Sequence, residues 1–122
     1  MKRAILIDPF SESVGEVNLN LQSYEEIYAL LKCEMVDYVA FGDGSDKLLV
    51  NDEGLFVAAN SQAFFTFATE IHGRIIIAGK CLVMSEPRPE EWESPLSTLA
   101  NIQARTSWLE HSKGAAFAAQ FN

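Results

Sequence analysis

The sequence predicts an α+β fold: a mainly antiparallel sheet of five or six strands with one helix packed on it and a C-terminal helix. Three observations carry that reading. Val17, Leu19 and Leu21 alternate with Glu16, Asn18 and Asn20, the period of a half-buried strand. Tyr24, Ile27, Leu30 and Leu31 then switch to helical spacing. Residues 74–84, RIIIAGKCLVM, are apolar at eight of eleven positions. That run is too short to cross a membrane and rich in β-branched side chains, so it reads as a buried central strand interrupted at Gly79-Lys80 by a bulge or turn.

In chain order, residues 3–8 form a first strand, closed by Asp8-Pro9 and the polar residues 11–13. Residues 16–21 pair back on it as a hairpin. Ser23 and Glu26 have the spacing of a capping box, at the head of a helix that ends near Lys32. Residues 33–41 are extended, and Gly42-Asp43-Gly44-Ser45-Asp46 reverses the chain into a strand at 47–51. Asn51-Asp52-Glu53-Gly54 closes that strand, with Gly54 supplying the positive φ of a tight turn. Residues 55–58 make a short return. Residues 60–68, where Phe64, Phe65 and Phe67 stand among small residues, read as a short helix or irregular segment plugging one end of the core. Beyond the apolar run, Pro87 and Pro89 alternate with charges and argue against regular structure. A final helix starts at Ser94, tolerates Pro95 in its first turn, and carries Leu96, Leu99, Ile102 and Leu109 to about His111.

A chain of 122 residues with 48% apolar and 21% charged content fits one domain. Within it the reading separates an α+β core at 1–84, an exposed Pro/Glu connector at 85–93, and a C-terminal helix and tail at 94–122 that packs on or extends from the core. The apolar stretch near the N-terminus is too short for a signal peptide or an anchor, which predicts a cytoplasmic protein without membrane contact. Cys33 and Cys81 lie far apart in apolar segments and read as buried free thiols.

The formal charge is −8, and it is unevenly distributed: residues 4–73 hold twelve carboxylates against Lys32 and Lys47, whereas residues after 73 hold five charges of each sign. An acidic half repels nucleic-acid phosphates, so direct nucleic-acid binding is not expected, and it attracts basic surfaces on other proteins. The plainer reading is that acidic surface keeps a small protein in solution.

Chemistry is harder to find. His72 and His111 lack the companions that complete a metal-ligand spacing, so no metal is expected. The DGSD segment lacks the alternation and closing glutamate of a calcium loop, and the Gly-Asp-Gly turn lacks the helix and lysine of a phosphate cradle. Neither cysteine has an electropositive neighbour in sequence. No catalytic residue and no cofactor is assigned. The candidate residues are therefore partner-binding ones: Asp43, Asp46, Asp52 and Glu53 on two turns, with Trp92 and Trp108 from the aromatic C-terminal third.

The order AILIDP strand, helix, NDEG turn and GRIIIAG strand resembles a family of small, uncharacterised proteins found widely on bacteriophages and plasmids. Members of that family often carry a proline-asparagine segment after the turn, where this chain has Ala58-Ala59-Asn60-Ser61-Gln62-Ala63. The resemblance implies a mobile-element setting inside a bacterial host and no assigned chemistry. The expectation that follows is a non-catalytic accessory protein that binds a host protein with a basic surface, in its sharpest form an acidic inhibitor of a nucleic-acid-directed defence system. Two alternatives stand beside it. One is a small-molecule-binding protein or enzyme with a pocket near His72; the other is an oligomeric regulatory module, a homodimer through the C-terminal helix.

Overall fold

A computed structural model describes residues 1–21 and 23–121. In it the apolar run is two strands that belong to different sheets. Gly79 takes φ +89°, a left-handed conformation that glycine adopts without steric cost, and the chain turns there. Before it lies β6 (Arg74–Ala78) and after it β7 (Cys81–Arg88).

The remaining strands are β1 (Lys2–Asp8), β2 (Ser13–Leu19), β3 (Val36–Ala40), β4 (Asp46–Asn51), β5 (Phe64–Ala68), β8 (Glu91–Glu93) and β9 (Thr106–Trp108). The first sheet has the order β2-β1-β7-β4-β3, with β8 paired to the far end of β7. The second has the order β6-β5-β9, and every pairing in both sheets is antiparallel. The helices are α1 (Glu25–Leu31), α2 (Leu99–Arg105) and α3 (His111–Ala118). The architecture is α+β as expected, with a second small sheet that the sequence reading did not anticipate.

Side-chain alternation along β7 explains the layering. Leu82 and Met84 point to one face, where Ala4, Leu49 and Trp92 join Ile27 and Leu31 of α1. Cys81 and Val83 point to the other, where Ile5, Ile7 and Leu48 meet Phe65, Phe67 and Ile77 of the second sheet and Ile102 of α2. On the far side of the second sheet, Phe64 and Ala78 pack with Ala118 of α3. The order of layers is thus α1, first sheet, second sheet with α2, then α3.

Several local expectations are corrected. Residues 64–68 are a strand because Phe65 and Phe67 both face the inter-sheet core while Phe64 faces α3, the alternation a strand provides. Residues 85–93 are exposed at 87–91 and 93 as expected but are not an irregular connector: β7 continues to Arg88 and β8 pairs back on it, with Ser85 and Trp92 buried. The prolines are tolerated because this hairpin lies at a sheet margin. The helix expected from Ser94 to about His111 is instead α2 and β9, with α3 forming in the tail beyond it, and α2 starts after Thr98, whose side chain accepts a hydrogen bond from the Asn101 N–H. Ser23 does not cap α1; the Glu26 carboxylate instead accepts the N–H groups of Asn20 and Leu21. Gly54 is needed for close approach, since a Cβ there would stand 2.7 Å from the Ala78 carbonyl oxygen, and it begins a 3-10 turn at Gly54–Phe56.

Gly114 shows how α3 is seated. A Cβ there would fall 2.2 Å from the Phe64 ring, so the helix lies directly on β5. Gly114→Ala is predicted to destabilise the protein by about 1–3 kcal/mol through overpacking, although alanine is the better helix former. Gly44→Ala, at an open position, is the control and should stay within about 0.5 kcal/mol in the same urea titration.

Candidate functional site

Two of the six partner-binding candidates are buried. Asp46 is 8% exposed because the β3–β4 turn delivers its carboxylate beneath the 94–97 segment. There Oδ1 accepts the Leu96 N–H at 2.9 Å, and Oδ2 accepts the Ser97 N–H at 2.8 Å and the Ser97 hydroxyl at 2.6 Å. The group is a clamp between two parts of the chain. Trp92 is 9% exposed, sits in the core beneath α1, donates its indole N–H to the Tyr24 hydroxyl at 2.8 Å, and meets the Tyr38 ring edge-on at 5.7 Å. Neither is placed to meet a partner.

The other four are exposed and do not converge. Asp43 borders a cleft of about 430 Å³ that also holds Glu70 and Arg105. Trp108 lies on β9, edge-on to Phe65. Asp52 and Glu53 stand beyond the opposite end of β4 from Asp43, separated by a strand of six residues, or roughly 20 Å.

Around Asp52 and Glu53, however, a distinct surface is assembled. The Asp52 N–H donates to the Met35 carbonyl at 3.1 Å, and the register sets Val36 opposite Asn51 and Asp37 opposite Val50. This pairing brings Glu34 and Asp37 alongside Asp52 and Glu53. Among the described residues, none of these four carboxylates has a cationic partner within 4.0 Å. Met35 and Phe56, 62% and 59% exposed, line a cleft with Glu34 and Glu53, while Tyr38, 51% exposed, lies on the other face of β3 against Trp92. The sequence reading missed Glu34, Asp37, Met35 and Phe56. Pairing the strands across the 42–46 turn would have found Glu34 and Asp37.

This corner is also a sheet edge, because β3 pairs only with β4. With Asp52 bonded to Met35, hydrogen-bonded pairs recur at every second residue, so the N–H groups of Val36, Tyr38 and Ala40 face outward. The Tyr38 N–H is taken by the carboxylate of Asp37 at 2.9 Å.

Elsewhere the acidic half is partly neutralised by cations from beyond residue 73. Lys80 lies 3.9 Å from Asp8 and Arg105 lies 3.0 Å from Glu70. Arg105 also donates to the Ala68 carbonyl and stacks over Phe41, so it is fully engaged.

His72 is exposed on the β5–β6 turn, where its N–H donates to the Thr69 hydroxyl, and it lines none of the clefts described here. Among the described residues, no group of three or more His, Cys, Asp and Glu side chains is placed to hold a metal ion. Both cysteines are free thiols, and burial raises the pKa of each above the ordinary thiol value. No helix among the described residues is long and apolar enough to cross a membrane.

No protein-family profile, curated protein or solved structure matches the chain.

Two measurements check this assignment. Asp46→Ala should cost about 1.5–3 kcal/mol, the range for hydrogen bonds to a charged group, whereas Asp52→Ala should change stability by less than about 0.5 kcal/mol. Because burial raises both thiol pKa values, less thiolate is present at neutral pH than in a free cysteine, and alkylation should accelerate as pH rises. Iodoacetamide should label Cys33 slowly and fully buried Cys81 only after unfolding; rapid labelling of native Cys81 would contradict the packing.

Proposed function

We propose that the chain is a non-catalytic accessory protein of a phage or plasmid, and that it acts in the bacterial cytoplasm by binding a host protein through the β3–β4 corner. The observation that carries the reading is the set of four carboxylates without a cationic partner, Glu34, Asp37, Asp52 and Glu53, with exposed Met35 and Phe56 lining a cleft beside Glu34 and Glu53. Like charges held close together repel one another, and a lysine- or arginine-bearing surface relieves that repulsion while the two apolar groups lose water. A rim of charge around apolar anchors is the usual composition of a docking surface.

The partner this chemistry favours is a basic protein surface. A groove built for DNA or RNA is one such surface, and occupying it would block nucleic-acid access; this is how an inhibitor of a nucleic-acid-directed defence system would work. Such a contact depends on unscreened charge, which extends about 8 Å at physiological ionic strength. The reading needs no metal and no cofactor.

The test compares the wild-type chain with a variant carrying Glu34→Gln, Asp37→Asn, Asp52→Asn and Glu53→Gln. Each is immobilised and exposed to bacterial lysate at low salt. The wild type is predicted to retain a basic protein that a salt gradient elutes and that the variant does not hold. Retention of the same proteins by both columns, or retention insensitive to salt, would remove the reading.

A further inference from the structure

A second cleft, of about 380 Å³, adjoins the docking corner, sharing Lys32, Asn51 and Val57 with the cleft lined by Glu34 and Glu53. It opens between the C-terminus of α1, the β1–β2 turn, residues 57–62 and the β6–β7 turn. Its volume is within the range of small-ligand sites. Lys32 and Lys80 both line it, and none of the other clefts described here is lined by two cationic side chains. In a chain of net charge −8, that concentration of positive charge calls for an explanation.

The backbone presents both lysines in a specific way. Lys32 is the left-handed C-cap of α1, with φ +54°, and Lys80 directly follows the left-handed Gly79. Lys32 has no ion-pair partner among the described residues, although Glu34 and Glu53 line the neighbouring cleft with it. Lys80 has only Asp8, at 3.9 Å. Asp8 is itself committed to the turn, since its Oδ1 accepts the N–H groups of Phe10 and Ser11. Both ammonium groups thus keep donors for an incoming anion.

The floor is preformed. Gln62 is buried, donates from Nε2 to the Gly54 carbonyl at 2.9 Å and accepts the Ala63 N–H on Oε1. A Cβ at position 79 would only touch this amide, 3.4 Å from Gln62 Oε1, and it is the φ of +89° that favours glycine there. Leu31 and Val57 give the cleft apolar walls, and the exposed ring of Phe10 stands at its mouth. A cleft lined by two lysines and an aromatic ring suits a ligand with a compact anionic head and a flat body.

We infer that this cleft binds a phosphate monoester carried on a flat ring system, of the size of a mononucleotide. Lys32 and Lys80 hold the phosphate, whose charge of about −1.5 to −2 at pH 7 competes with the Asp8 carboxylate for Lys80. Lysine serves here as a point-charge phosphate binder, and Phe10 stacks on the ring. The site adjoins the docking corner at Lys32 but does not rest on a partner binding there.

Amide chemical shifts of the full chain test it, with AMP, adenosine and inorganic phosphate as probes. AMP is predicted to shift the amides of Lys32, Ser61, Gln62 and Lys80 saturably, with adenosine and phosphate each weaker by about tenfold or more, because each keeps only part of the contact. Lys32→Gln with Lys80→Gln should weaken AMP by about tenfold or more while leaving the remaining spectrum in place. Phe10→Ala should weaken AMP without changing the response to inorganic phosphate. The proposal is overturned if AMP moves no amide of the cleft at about 10 mM, well above the concentration a weak specific site requires. Equal binding of AMP to wild type and the double-lysine variant, or of adenosine and AMP to the wild type, overturns it as well.

Discussion

Strand β7 is hydrogen-bonded on both flanks, to β1 and to β4, and the rest of the molecule is arranged around it. Leu82 faces Leu6 across one ladder and Leu49 across the other. Because successive side chains of a strand point to opposite faces, Cys81 and Val83 supply one core while Leu82 and Met84 supply another. All four are fully buried, and each large apolar side chain so placed stabilises the fold by about 1.5–3 kcal/mol. The left-handed turn at Gly79 makes this possible, since it releases β6 to join a separate sheet that covers one face of the first.

A sheet organised from its middle leaves its margins to be managed. At one margin β2 is paired only with β1, and at the other β3 is paired only with β4. Unpaired edges invite association with other chains, and charge along the edge is a common way to suppress it. The β3 edge carries Asp37, whose carboxylate also takes the outward N–H of Tyr38, and it is flanked by Glu34, Asp52 and Glu53. The same four charges that discourage indiscriminate strand pairing are those on which the proposed basic partner rests. Exposed Met35 and Phe56, on one cleft with Glu34 and Glu53, distinguish the corner from a merely solvated turn.

Local structure was legible where a single period governs a segment. The β1–β2 hairpin, α1 and the β3–β4 pair follow directly from alternation, helical spacing and the turn residues between them. Non-local choices were not legible. Nothing in RIIIAGKCLVM itself says that its halves join different sheets; that depends on Phe65 and Phe67 being available to face Ile77 across the core. The 85–93 hairpin was hidden because prolines argue against strands except at margins, and a margin is a property of the assembled sheet. For the candidate site, Asp52 and Glu53 were visible as turn carboxylates, whereas Glu34 and Asp37 join them only through strand register. Asp46 and Trp92 misled for the opposite reason: a carboxylate in a turn and a tryptophan in a charged segment both look exposed until tertiary contacts bury them.

The account rests on β7 as the most protected strand and β3 as an open edge. Native-state amide hydrogen exchange measures both at once. The amides of Leu82, Val83 and Met84 should exchange only through global unfolding, while those of Val36 and Ala40 exchange far faster through local opening. Equal protection along β3 and β7, or exchange of the β7 amides well below the global unfolding free energy, would contradict it.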